Sequence, residues 1–116
     1  GIKKSSIYSN GVYDYSNVVE NMINRDTPNY KYFRCISPSW DNSARRKKNA
    51  LMYINSTPTL FKKWASKMRE YTSDKLPENE QLLFINAWNE WGEGCHLEPD
   101  EKWGTAYLQA LKDALS

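Results

Sequence analysis

The run Leu82-Leu83-Phe84-Ile85 constrains this chain more than any other segment. It is apolar without interruption, the pattern of a strand covered on both faces rather than one. Such strands belong to parallel sheets, which need crossover helices and neighbouring strands. The sequence supplies the helices. Thr57-Pro58 reads as an N-cap followed by Pro at the first helical position. Phe61, Trp64, Ala65, Met68 and Tyr71 then recur at helical spacing, and the helix should stop before Pro77. Asp14 can cap an earlier helix with Val18, Val19, Met22 and Ile23 on one face. Residues 106–115 predict a closing helix, with Tyr107, Leu108, Leu111 and Leu115 turned inward.

A second strand is predicted at residues 32–36, after a connection over residues 24–30 that holds Pro28. Residues 50–54 read either as a short strand or as a packed loop segment. The order is therefore helix, strand, long loop, helix, strand, long loop, helix. That order predicts an α/β fold of alternating helix and parallel strand with right-handed crossovers. With 116 residues there is room for one domain at most. Two strands, or three if residues 50–54 pair, make a very small parallel sheet. The chain is therefore expected to be part of a larger sheet or barrel. Alone, it is expected to pack loosely, exchange elements or pair with another copy.

Charge and composition exclude several classes of function. Sixteen basic and 14 acidic residues leave a net charge of +2, too balanced for a nucleic-acid binder. No apolar run approaches the ~20 residues of a membrane span. Gly1-Ile2-Lys3-Lys4-Ser5-Ser6 does not open a signal peptide. Cys35 and Cys95 are too few for a disulfide scaffold and are expected to be buried small hydrophobes.

Both long loops follow predicted strands, the side of a parallel α/β fold where functional groups gather. The second, residues 86–99, holds Glu90, Glu93 and Glu98, two Asn, two Trp and the chain's one His. Glycosidic bond chemistry needs paired carboxyl groups, one protonating the leaving oxygen and the other acting as base or nucleophile. Glu90 and Glu93 are three apart and would share one side of a turn, with Gly92 and Gly94 allowing a sharp bend. Trp88 and Trp91 could stack on a sugar or could simply fill a core. His96 reads first as a hydrogen-bonded structural residue. With the carboxylates nearby it matches no strong zinc spacing, and no metal or cofactor is implied. The first loop offers Trp40, Asp41, Asn42, Arg45 and Arg46. Asp41 and Asn42 could bind hydroxyls. Arg45 or Arg46 could fork onto a phosphate or carboxylate, or one Arg could pair with a Glu of the neighbouring loop.

Taken in order, these motifs resemble the WbsX-type family. The matching residues are Trp40-Asp41-Asn42-Ser43-Ala44-Arg45-Arg46, Ser56-Thr57-Pro58, Phe84-Ile85-Asn86-Ala87-Trp88-Asn89-Glu90-Trp91, Glu93-Gly94 and Leu97-Glu98-Pro99-Asp100. Gly104, Ala106, Tyr107 and Leu108 fit as well. Members are described as glycosyltransferases of bacterial surface-polysaccharide biosynthesis and as glycoside hydrolase family 99-like. The resemblance implies a (β/α)8 barrel several times longer than this chain. Residues 1–116 would be a single partial domain, its last two strands and last three helices. It implies a glycan or sugar substrate, the rest of the barrel as partner, little activity for the isolated chain, and a cytoplasmic biosynthetic role. The segment Asn89-Glu90-Trp91-Gly92-Glu93-Gly94 is also similar to the catalytic loop of family 99 endo-α-mannosidases. There, two Glu three apart serve as base toward the sugar 2-hydroxyl and as general acid. The resemblance implies Glu90 as the base and Glu93 as the acid. It departs at Gly92, where those enzymes carry a His. Trp40, Trp88 and Trp91 would then form the sugar platform, and Asp41, Arg45 and Asn89 would bind substrate. The alternative is a non-catalytic glycan-binding or structural remnant.

Overall fold

The computed structural model describes residues 10–116, together with the backbone of residues 4 and 5. Strands β1 (Lys4–Ser5) and β2 (Asn10–Asp14) lead into α1 (Tyr15–Ile23), followed by β3 (Arg34–Ile36) and β4 (Leu51–Ile54). Helix α2 (Pro58–Lys75) leads to β5 (Leu83–Ile85), the short pair β6 (Asn89–Glu90) and β7 (Cys95–His96), and α3 (Ala106–Leu115).

The helix boundaries have local causes. Asp14 stands in extended backbone and its side chain accepts the Ser16 N–H, satisfying a donor that the first turn leaves free. Thr57 does the same for the Leu60 N–H, with Pro58 at the first helical position. Leu76 is extended and Pro77 follows it, so α2 ends where its sequence says it should. Tyr15, Val19, Phe61, Trp64, Ala65, Met68, Tyr107, Ala110 and Ala114 bring the three helices together around one core, with Ile36 of β3 and Leu97 beneath them.

Parallel pairing is present, as the alternation predicts, but in two separate sheets rather than one. β3 pairs with β5 from Arg34↔Leu83 to Ile36↔Ile85. β2 pairs in parallel with β4 from Gly11↔Leu51 to Asp14↔Ile54, with β1 antiparallel at its edge. Residues 51–54 are thus a strand. β2 escapes a sequence reading because Asn10-Gly11-Val12-Tyr13-Asp14 carries little apolar pattern.

Three further expectations are corrected. The strand over residues 82–85 is not covered on both faces. Leu83 and Ile85 pack against the core, while Leu82 and Phe84 remain 53% and 54% exposed. Side chains alternate along a strand, and only one face of β5 meets helices here. Cys35 lies on that same outer side of β3 and is exposed, whereas Cys95 is buried; both thiols are free. In α3 the deepest residues are Tyr107, Ala110 and Ala114, and Leu115 is exposed. The leucines form a second stripe beside the first. The small alanines let α3 approach α2 closely.

Candidate active site

Core hydroxyls fix the first loop where it leaves β3. The buried Tyr15 donates from its OH to the Ser37 carbonyl at 2.7 Å. Ser56 Oγ donates to the Pro38 carbonyl and lies 2.6 Å from the Tyr107 OH. Burial pushes the Tyr15 hydroxyl well above the ordinary tyrosine range and raises that of Tyr107, so both remain donors. The chain then runs back alongside β4, with the Tyr53 N–H donating to the Trp40 carbonyl at 2.8 Å.

From that anchored turn the two long loops are stitched together. The Asp41 N–H donates to the Glu93 carbonyl at 2.8 Å, and Ser39 Oγ donates to the Gly94 carbonyl. Ser37 Oγ lies 3.0 Å from Cys95 Sγ, and the Cys95 thiol reaches the Asn86 carbonyl at 2.6 Å. Burial raises the Cys95 thiol above its usual value, keeping the proton that this bond uses. Gly94 has a φ of +56°, and a Cβ there would lie 3.1 Å from Asp41 Cβ and 3.2 Å from Asp41 N. Only glycine suits that turn and that approach.

The stitching sets Glu90 and Glu93 on one cation. Glu90 ends β6 and Glu93 closes the single 3₁₀ turn over Trp91–Glu93. Arg45 Nη2 donates to Glu90 Oε1 at 3.1 Å and Arg45 Nη1 to Glu93 Oε1 at 3.2 Å. The predicted pairing of a first-loop Arg with the second loop is therefore made, and it engages both carboxylates at once. Gly92 makes room for it: a Cβ at residue 92 would lie 2.8 Å from Arg45 Nη2 and 3.2 Å from Glu90 Oε1. The space in which a side chain would begin at residue 92 is filled by the guanidinium.

Trp91 extends this surface. Its Nε1–H donates to Glu98 Oε1 at 3.0 Å, and its ring stacks on His96 at 3.5 Å between centroids. His96 Nε2 is 3.0 Å from Asp100 Oδ2. Partial burial pushes the Asp100 carboxyl upward, but the Trp103 N–H and the His96 ring more than offset this and hold it below its ordinary value. The sequence points to Glu98, His96 and Asp100 less strongly than to Glu90 and Glu93. Their signal was the four-residue spacing of His96 and Asp100, which carries no meaning until Trp91 is seen between His96 and Glu98.

The other expected substrate contacts are less convergent. Trp88 is 53% exposed and its carbonyl accepts the N–H groups of Leu97 and Glu98. Asn89 is exposed. Trp40 is only partly exposed, and its buried Nε1 finds no partner among the described residues. Asp41 holds the Ser43 N–H with Oδ1 at 2.9 Å, which shapes its own loop. Among the described residues, no group of three His, Cys, Asp or Glu side chains is placed to hold a metal ion. A cavity of about 290 Å³ between residues 27–32 and the end of α2 shares no residue with this site.

The profile of the family Glycosyltransferase WbsX matches residues 2–111, which include every group just described. The chain belongs to that family. It is also similar to the uncharacterized protein WxcX of Xanthomonas campestris pv. campestris strain B100, with 33% identity over 109 residues, 94% of this chain. The WxcX protein of a second strain of that pathovar is likewise 33% identical over 109 residues. The chain spans 16% of the length of these curated relatives. No solved structure matches it.

Proposed function

We propose that this chain carries the acid/base corner of a carbohydrate-active enzyme that acts on glycans in bacterial surface-polysaccharide assembly, working in the cytoplasm. The observation that carries the reading is the convergence of Glu90 and Glu93 on Arg45, beside β5 and its loop. Two carboxyl groups held by one fork can serve the two ends of a glycosidic bond. In this reading Glu90 takes the proton of the sugar 2-hydroxyl as that oxygen bonds to C1. Glu93, protonated on the oxygen that Arg45 leaves free, gives its proton to the leaving oxygen as the bond from C1 breaks. A water or acceptor hydroxyl then opens the anhydro ring at C1, passing its proton to Glu93 while Glu90 returns its own to the 2-oxygen. Arg45 holds both in register before substrate arrives, and Trp88 and Trp91 offer ring faces to the sugar. Trp40, Asp41 and Asn89 line the approach. The similarity to family 99 glycosidases supports these roles, whether the bond is formed or cleaved. The remaining groups would come from the other strands of a (β/α)8 barrel, because such sites draw on several strand ends. The isolated chain is therefore expected to be inactive.

A second reading has its own observation. Arg45 occupies both carboxylates, and such a network can be purely structural. The protein would then be a glycan-binding or structural remnant. Turnover by the full-length protein on activated and oligomeric sugars separates the two. Glu90→Gln and Glu93→Gln should each cut turnover by about 10²–10⁴ with binding retained. Turnover indifferent to both substitutions sinks the acid/base reading.

A further inference from the structure

Trp91 is 50% exposed, yet its ring is fixed. One face lies on the His96 imidazole, with the two planes 13° apart. Its edge is tied by the Nε1–H bond to Glu98 Oε1. His96 is held in turn by Asp100, whose Oδ1 accepts the Trp103 N–H at 2.6 Å. The backbone backs this arrangement, since His96 pairs with Asn89 across β6 and β7 and the Glu98 N–H donates to the Trp88 carbonyl. The indole's one polar atom is therefore committed. What it offers outward is a flat π face of set orientation, with the Glu98 carboxylate at its rim.

We infer that the open face of Trp91 is a stacking subsite for the C–H face of a neutral pyranose, with Glu98 accepting from a ring hydroxyl. An indole face is electron-rich and attracts the positive edge of the sugar's C–H bonds. A ring immobilised beforehand gives up little freedom on binding. Charge selects the class of sugar. Glu90, Glu93 and Glu98 all belong to this loop, and Arg45 is already engaged by two of them, so an acidic sugar is disfavoured and a neutral one is not. His96 and Asp100 are positioning residues that set the plane of Trp91. The inference rests on the site being directed at carbohydrate, but not on Glu90 and Glu93 performing acid/base chemistry.

The test is calorimetric titration of the full-length protein in a Glu90→Gln background, where turnover is suppressed. The probes are neutral methyl pyranosides and oligosaccharides built from them, with a uronic acid as the charged comparison. Trp91→Ala should weaken binding roughly tenfold or more, and Trp91→Phe, which keeps a ring, by less. His96→Ala should weaken it about threefold, whereas His96→Phe, which restores a flat backing without the bond to Asp100, should recover it. Titrated against the parent, where Glu90 still engages Arg45, the uronic acid should bind more weakly than its neutral counterpart, and equal or tighter binding overturns the selection for neutral sugars. Affinity unchanged in Trp91→Ala, failure of His96→Phe to recover what His96→Ala loses, or no saturable binding of any neutral probe overturns the subsite. If binding depends on Trp91 while turnover of the parent ignores both Glu, the subsite stands and only the acid/base reading falls.

Discussion

Phe61 and Trp64 of α2 are buried against Tyr15 and Tyr107, while Leu82 and Phe84, around β5, are more than half exposed. These are similar side chains in one small protein, and their different fates come from geometry. A helix presents one apolar stripe, and three helices can close on each other. A strand presents two faces, and the helices of this chain reach only one face of β3 and β5. The helical side thus finishes its own packing, whereas the outer strand face carries apolar residues patterned for cover that the described contacts do not provide. The barrel proposed above would supply that cover from its other strands.

The largest expected effects lie on the finished side. Phe61→Ala or Trp64→Ala should cost about 3–5 kcal/mol, since each removes a large buried ring and leaves a cavity. Phe84→Ala should cost less than about 1 kcal/mol in the isolated chain, because its ring is already half in water. Urea unfolding of the three variants checks the contrast. Equal costs would mean that the outer strand face is covered in solution, by a second copy for instance. The same Phe84→Ala change in the full-length protein sharpens the comparison: there it should become expensive if other strands lie on that face.

Gly94→Ala comes next, at about 1–3 kcal/mol. The new methyl meets the Asp41 backbone and must adopt a left-handed φ, so the seam between the two loops should open. Chemical shifts of Asp41 and Cys95 amides should move with it, while those of α1 and α2 stay still. Thr57→Ala should cost about 1 kcal/mol by removing the cap on the Leu60 N–H, with loss of helicity confined to the start of α2.

What the sequence makes legible follows the same division. Local signals suffice for the helices: Asp14 and Thr57 as caps, Pro58 as a start and Pro77 as a stop all act where they stand. They fail for β2, whose five residues pair with the distant β4, and for β6 and β7, two residues each and paired with one another, because none of the three carries strong alternation. They fail for Leu115, because two stripes on α3 have helical spacing and only packing against α2 chooses the tyrosine and alanine one. Within the site, the spacing of Glu90 and Glu93 told that they share a turn. It could not tell that Arg45, 45 residues earlier, holds both, nor that His96 lies under Trp91. Those contacts depend on the seam of serine and backbone bonds between the loops, which no local pattern encodes.

The smallest effect concerns acid, and it probes both regions at once. The Ser16 hydroxyl, the Asn55 amide and the Ser16 N–H all bond the Asp14 carboxylate and hold it below its ordinary value of 3.8. On the loop side, partial burial raises Asp100, and its hydrogen bonds outweigh that and also leave it below 3.8. In both cases the unfolded chain takes up its proton at a higher pH than the folded one. The stability that these bonds contribute is therefore complete above about pH 4 and is lost as pH falls through the folded values. Thermal midpoints measured downward from pH 5 should decline below pH 4. Asp14→Asn should remove the part of that decline that belongs to the start of α1, because Asn caps a helix without titrating. Asp100→Asn should remove a part that follows the Trp91 emission instead. If one substitution abolishes the whole decline, that carboxylate alone carries the acid sensitivity and the other region contributes none of it.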